Sequence, residues 1–182
     1  GVLLVVLGYA IGQGAADERS PYYRPLYLVL AAGIAQAFLA GDLFNLFVAF
    51  EILLMSSYVL LTLEGTDAQV RSGTTYVVLN VLESTLLLTA VGLIFAATGT
   101  VNMAELPARL AALPAPVSVG LNLLLLVSFG MKAAVFPLFS WLPDSYPTAP
   151  SSITAVFAGL LTKVGVYALI RTETQLFPGG QR

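Results

Sequence analysis

Apolar runs dominate the chain, and polar residues come mostly in short clusters between them. A helix needs about 20 largely apolar residues to cross a bilayer. The runs at 23–40, 43–63, 74–97, 117–136 and 151–171 meet or approach that length, and residues 1–12 read as the tail of another span. The pattern predicts an all-α polytopic membrane protein with five complete transmembrane helices and one partial one, residues 23–171 forming a five-helix unit. Uninterrupted helices are the expected solution, because backbone groups have no water to bond in hydrocarbon. The chain opens inside an apolar run without a methionine, so it is read as an internal fragment of a larger protein.

Connections are short except 98–116, "TGTVNMAELPARLAALPAP". There Met103, Leu106, Leu110 and Leu113 fall at helical spacing and Glu105 and Arg109 are four apart, which predicts a short interfacial helix ended by Pro114 and Pro116. Residues 172–182 are expected as a loop. Basic residues do not orient the spans, since Arg19, Arg24 and Arg71 fall on one side and Arg109, Arg171 and Arg182 on the other. No internal repeat, low-complexity tract or soluble domain is visible.

Composition strengthens the membrane reading: 58% of residues are hydrophobic and 10% charged, against about 25% charged in a soluble domain. Mean hydropathy is +0.88. A net charge of −2 without a Lys/Arg cluster argues against nucleic acid. The absence of cysteine removes disulfides, thiolate metal sites and thiol nucleophiles. Histidine is absent too, so proton work falls to Asp, Glu, Lys or water. No cofactor and no metal site is expected.

Against that background the ionisable residues inside the spans need a reason. Glu51 is central in "FNLFVAFEILLMSSYVLL", Glu83 in "LNVLESTLLL" and Lys163 in "TAVFAGLLTKVGVYALI", while Lys132 stands toward the end of its span. A charge at mid-membrane costs about 2.5–3.5 kcal/mol on insertion scales. Such residues could simply tie helices together, but a buried ion pair is often replaceable by apolar groups. Intramembrane ionisable groups more often mark ion or proton paths, and a row of them can relay a proton along the membrane plane. Asp42, at the junction of two spans, suits the cap of the following helix.

A second signal is the segment "SFGMKAAVFPLFSWLPDSYPTAPSS". Pro137 follows Lys132 by five residues and lacks the N–H that would bond the carbonyl of Ala133. With Gly130, Pro143, Pro147 and Pro150 it excludes an unbroken helix from Ser128 to Ser151. Irregular backbone at membrane depth is tolerated where it lines a cavity, and transporters place ion sites there. A plain loop after a helix ending at Phe136 is the alternative. The next helix is expected to start at Thr148 or Ser151, with Pro150 between.

The stretches "GDLFNLFVAFEILLMSSYVLL" and "MKAAVFPLFSWLPDSYPTAPSSITAVFAGLLTKVGVYALIR" resemble the antiporter-like subunits shared by respiratory complex I and Mrp-type multisubunit cation/proton antiporters. The likeness is strongest to the D subunits of the Mrp branch. It implies a fourteen-helix fold with two inverted five-helix repeats, each with a discontinuous helix, of which this chain holds the first repeat. It also implies a functional glutamate at Glu51, a lysine beside the break at Lys132, a further lysine at Lys163 and an acidic residue at Asp144. Glu51 and Lys132 would form a switching pair with Lys163 as relay, and Glu83, Asp144 and Asp42 would be accessory groups. Where complex I subunits usually carry histidines, this chain has Phe139 or Ser140 and Tyr146, as in the Mrp branch.

The expectation is a membrane subunit of a Na+ or K+/proton antiporter, a transporter component with other membrane subunits, monovalent cations and protons as its partners. It would be a multi-pass cell-membrane protein of a prokaryote. One alternative is the equivalent proton-pumping subunit of an NADH:quinone oxidoreductase or hydrogenase-type complex. The other is a scaffold that does not transport.

Overall fold

A computed structural model describes residues 1–12 and 21–177 of the chain. Arg19 and Arg182, and the last residues of the expected 172–182 loop, lie outside the described residues. The elements are α1 (Val2–Gly12), α2 (Tyr23–Leu39), α3 (Leu43–Leu61), α4 (Asp67–Thr98), α5 (Leu106–Ala111), α6 (Ala115–Ala133), α7 (Trp141–Ser145), a 3-10 turn (Tyr146–Thr148) and α8 (Ser151–Leu176). Four of them, α3, α4, α6 and α8, are long and apolar enough to cross a membrane. Helix α2 has 17 residues and α1 has 11. The described residues form a helical bundle.

Several ends differ from the hydropathy pattern for identifiable reasons. Helix α4 starts at Asp67, seven residues before the apolar run at Thr74, because the Thr66 side chain accepts from Gln69 N at 3.3 Å and caps it. Helix α8 runs on to Leu176, past the expected Arg171, and α6 stops at Ala133 instead of Phe136. Helix α3 begins after Asp42, whose carboxylate accepts from Asn45 N at 2.7 Å and Asn45 Nδ2 at 2.6 Å.

Two polar junctions hold opposite ends of the bundle. At one, residues 41–43 pair with 101–103 through Leu43 N to Val101 O and Met103 N to Gly41 O, both 3.0 Å. There Arg171 Nη1 donates to Ala40 O at 2.5 Å and the Tyr167 hydroxyl to Phe38 O at 3.1 Å. These bonds satisfy carbonyls that the end of α2 leaves without helical partners. Met103, Leu106 and Leu110 bury the apolar side of α5 against this junction. At the other end, Gln69 Nε2 donates to Glu64 Oε2 at 3.1 Å and Thr148 O at 3.2 Å, and Ser72 bonds Thr148 through their hydroxyls at 2.7 Å.

Helix α4 is the hub, packed against α3, α6 and α7, while α6 packs in turn on α8. At the last contact the backbones nearly touch. A Cβ on Gly165 would lie 2.5 Å from Ala133 N and 2.8 Å from Lys132 C. Only glycine allows so close an approach, the usual role of small residues between membrane helices.

Candidate functional site

One face of α4 carries Gln69, Ser72, Tyr76, Asn80 and Glu83, all buried, at steps of three and four residues. That spacing keeps side chains on one side of a helix. It turns a polar stripe toward α3, α6 and α7 inside an otherwise apolar helix. Near its end the stripe meets Lys132, which is 1% exposed, as is Glu83.

Lys132 Nζ donates to Asn80 Oδ1 at 3.0 Å and lies 3.6 Å from Glu83 Oε2. Its third neighbour is the ring of Phe50, with Nζ 5.5 Å from the centroid, a cation–π contact that also stabilises ammonium. Among the described residues the direct ion-pair partner of Lys132 is therefore Glu83, not Glu51. Consecutive helical residues point about 100° apart, so with Phe50 turned to the lysine, Glu51 is turned aside. It accepts from the Ser84 hydroxyl instead. Glu51 is half-buried and reaches the cluster through Ser84, the residue next to Glu83. Glu83 is within electrostatic reach of both Lys132 and Glu51. Neither oxygen of Glu83 takes a hydrogen bond among the described residues, so the ion pair is what compensates it.

The broken helix fixes where Lys132 stands. Ala134 adopts the left-handed conformation, φ 54°, and its N–H bonds Met131 O at 3.2 Å while Val135 N bonds Gly130 O at 3.0 Å. This is a Schellman closure with alanine where glycine is usual. Trp141 Nε1 adds a bond to Met131 O at 2.9 Å. Lys132 thus occupies the last turn of α6, where the carbonyl end of the helix favours a cation. Pro137 lies in the connection between α6 and α7. Left-handed alanine costs about 1 kcal/mol or more relative to glycine, so Ala134→Gly should raise the unfolding free energy of the assembled protein by about 1 kcal/mol. Ala134→Val should lower it, and denaturant unfolding of both variants checks the sign.

Above the lysine, the Tyr76 hydroxyl and Ser57 Oγ are 2.6 Å apart, and Asn80 Nδ2 donates to Tyr76 O at 2.8 Å. The latter bond orients the amide so that its oxygen faces Lys132. Asn80, Ser84, Tyr76 and Ser57 were not among the sequence candidates. The positions of Tyr76, Asn80 and Ser84 along "TYVVLNVLES" carried the signal, because these polar residues repeat at the period of one helix face.

Of the residues singled out from sequence, the fold gathers Glu51, Glu83 and Lys132 into one site. Lys163 is exposed, bonded to Ala158 O at 2.5 Å and Thr162 Oγ1 at 3.3 Å. It lies two residues from the Gly165 contact with Lys132 and outside the buried cluster. Asp144 is exposed in α7. Asp42 caps α3 at the far junction, in an open cleft of about 660 Å³ that Arg171 also lines. Among the described residues, no group of three or more His, Cys, Asp or Glu side chains could hold a metal.

Residues 40–180 match the family described as NADH:quinone oxidoreductase/Mrp antiporter, transmembrane. The chain is 44% identical over 185 aligned positions to the D subunit of the Na(+)/H(+) antiporter of Alkalihalophilus pseudofirmus, an alignment covering 96% of this chain and 38% of that protein. It therefore spans well under half of that relative. A chain in the Mrp complex of a Dietzia species superposes with a TM-score of 0.88 at 36% identity, over 98% of this chain and 33% of that one. A chain of respiratory complex I from Thermus thermophilus gives 0.75 at 25% identity, over 93% and 37%. The family match over residues 40–180, together with 44% identity along nearly the whole chain, shows that the chain belongs to the NADH:quinone oxidoreductase/Mrp antiporter transmembrane family.

Proposed function

We propose that this chain is part of a membrane subunit of a multisubunit monovalent cation/proton antiporter and that its buried cluster relays protons. The observation carrying this is Lys132, almost wholly buried at a broken helix end and balanced by Glu83 at 3.6 Å. Charge counting supplies the mechanism. With Lys132 charged, one carboxylate balances it, and the other is either protonated or an uncompensated buried charge, which is the costly option. Glu83 and Glu51 then share one mobile proton, with the Ser84 hydroxyl bonded to Glu51 from the position next to Glu83 in the chain. Moving that proton from one carboxylate to the other changes which of them supports the lysine. Asn80 and Phe50 hold the ammonium during the exchange, and Lys163 on α8 is the next station. Asp42 and Asp144, both away from the cluster, are accessory at most.

The higher identity to an antiporter subunit than to the complex I chain supports antiport over redox-driven pumping. The partners are then the other membrane subunits of such an assembly, in the cell membrane of a prokaryote. The test is proton flux in vesicles carrying the intact complex, driven by a Na+ or K+ gradient with no electron donor. Cation-driven acidification or alkalinisation is expected. Flux that requires electron transfer would replace this reading with the pump.

A further inference from the structure

The open cleft of about 660 Å³ at the far junction is lined by Asp42, Asn102, Met103, Pro107, Arg171 and Gln175. It lies beside the start of α3 and near the end of α8, both long and apolar enough to span a bilayer. That places it at the level of lipid headgroups. Two opposite charges, both half-buried, line the cleft without meeting. Asp42 accepts one bond on each carboxylate oxygen, from Asn45 N and Asn45 Nδ2, which leaves each oxygen a second lone pair. Arg171 donates through Nε to Gln175 Oε1 at 3.0 Å and through Nη1 to Ala40 O, which leaves Nη2. Its guanidinium is held over the Tyr167 ring, with Cζ 5.9 Å from the centroid. Among the described residues neither Asp42 nor Arg171 has a salt-bridge partner. Leu39 and Phe44, which flank Asp42 in the chain, are 84% and 50% exposed.

We propose that this cleft seats the headgroup of an ethanolamine phospholipid, with its primary ammonium on Asp42 and its phosphate on Arg171. A ligand carrying both charges compensates two groups that do not compensate each other. Arginine presents a planar fork of donors that suits phosphate, and hydrogen bonds between ionised groups are the strong ones. The N-terminus of α3 would otherwise be the seat for an anion, but the Asp42 carboxylate already fills it as the cap. The phosphate is therefore directed to Arg171.

The same chemistry rejects the other common heads. The quaternary ammonium of a choline lipid has no N–H to donate to Asp42. A glycerol head brings no cation, so its phosphate reaches Arg171 while the Asp42 carboxylate stays unpaired and repels it. A soluble phosphate compound lacks acyl chains, which the exposed Leu39 and Phe44 are suited to meet. The cleft lies at the opposite end of the bundle from the Gln69–Thr148 junction and away from Lys132, so the lipid site is independent of the proton relay.

The test uses the purified intact complex, stripped of lipid in detergent and offered an equimolar mixture of ethanolamine, choline and glycerol phospholipids with identical acyl chains. Native mass spectrometry counts the lipid retained. The wild type should hold the ethanolamine lipid several-fold over the other two. Asp42→Asn should keep the fold, because asparagine caps a helix as well as aspartate, and should lose that preference. Arg171→Gln should lower retention of the ethanolamine and glycerol lipids together, several-fold. Should either variant fail to assemble, the other decides. Soluble phosphoethanolamine in excess should not displace the lipid, and displacement would overturn a lipid as the occupant. Equal retention of the three lipids by the wild type, or an unchanged pattern in either variant, overturns the assignment and leaves the cleft to another part of the assembly.

Discussion

Lys132→Ala in the intact complex should lower cation-coupled proton flux by about a hundredfold or more, the scale on which a positioned acid–base group contributes. It should also cost stability, because among the described residues Glu83 accepts no hydrogen bond and has Lys132 as its counter-charge. Breaking a buried pair from one side typically costs about 3–5 kcal/mol. The double variant Lys132→Met with Glu83→Gln separates the two roles. It removes both charges together, so stability should return to near the wild-type value. Flux should not return, because no titratable group then stands at the end of α6. Glu51→Gln should abolish flux with little loss of stability, since an amide can still accept from Ser84. Near-normal flux in Lys132→Ala and Glu51→Gln would defeat the relay. Recovery of flux in the double variant would make the charges structural and support the scaffold.

The all-helical membrane class and the break near Pro137 were legible in the sequence because both rest on strong, local physics. Twenty apolar residues have few alternatives to a membrane helix, and Pro137 cannot continue the ladder. The ends of α4 and α8 were hidden by composition. Asp67, Gln69 and Arg71, like Thr172, Glu173 and Gln175, are helical but polar, so hydropathy stops short of them. The depth of the charges was legible, but their direction was not. That Lys132 pairs with Glu83 depends on Phe50 taking the face of α3 that a reading by depth alone assigns to Glu51. The π-turn at Phe157–Leu161 has no apolar period of its own, and Lys163 gave no sign that a backbone carbonyl five residues earlier would hold it.

Gly165→Ala should be nearly as damaging to flux as the loss of Lys132, although the residue bears no charge. The added methyl would lie 2.5 Å from Ala133 N, 2.8 Å from Lys132 C and 2.9 Å from Ala133 Cα. All three obstacles are backbone, so no rotamer change relieves them. The end of α6 is itself pinned, by the closure at Ala134 and by Trp141 on Met131 O. The two helices must therefore part, by roughly 1 Å, and a displacement of that size at a reacting group can cost about a hundredfold. Overpacking should also destabilise the protein by about 1–3 kcal/mol. Gly120→Ala on α6 is the control, because open space surrounds its Cβ position and alanine favours a helix over glycine by about 1 kcal/mol. That variant should retain flux and lose no stability. The contact at Gly165 joins the backbone of Lys132 to a helix whose own lysine is two residues away. Separating the helices alters the spacing of both lysines at once, and a fully active Gly165→Ala would mean that this spacing does not govern transport.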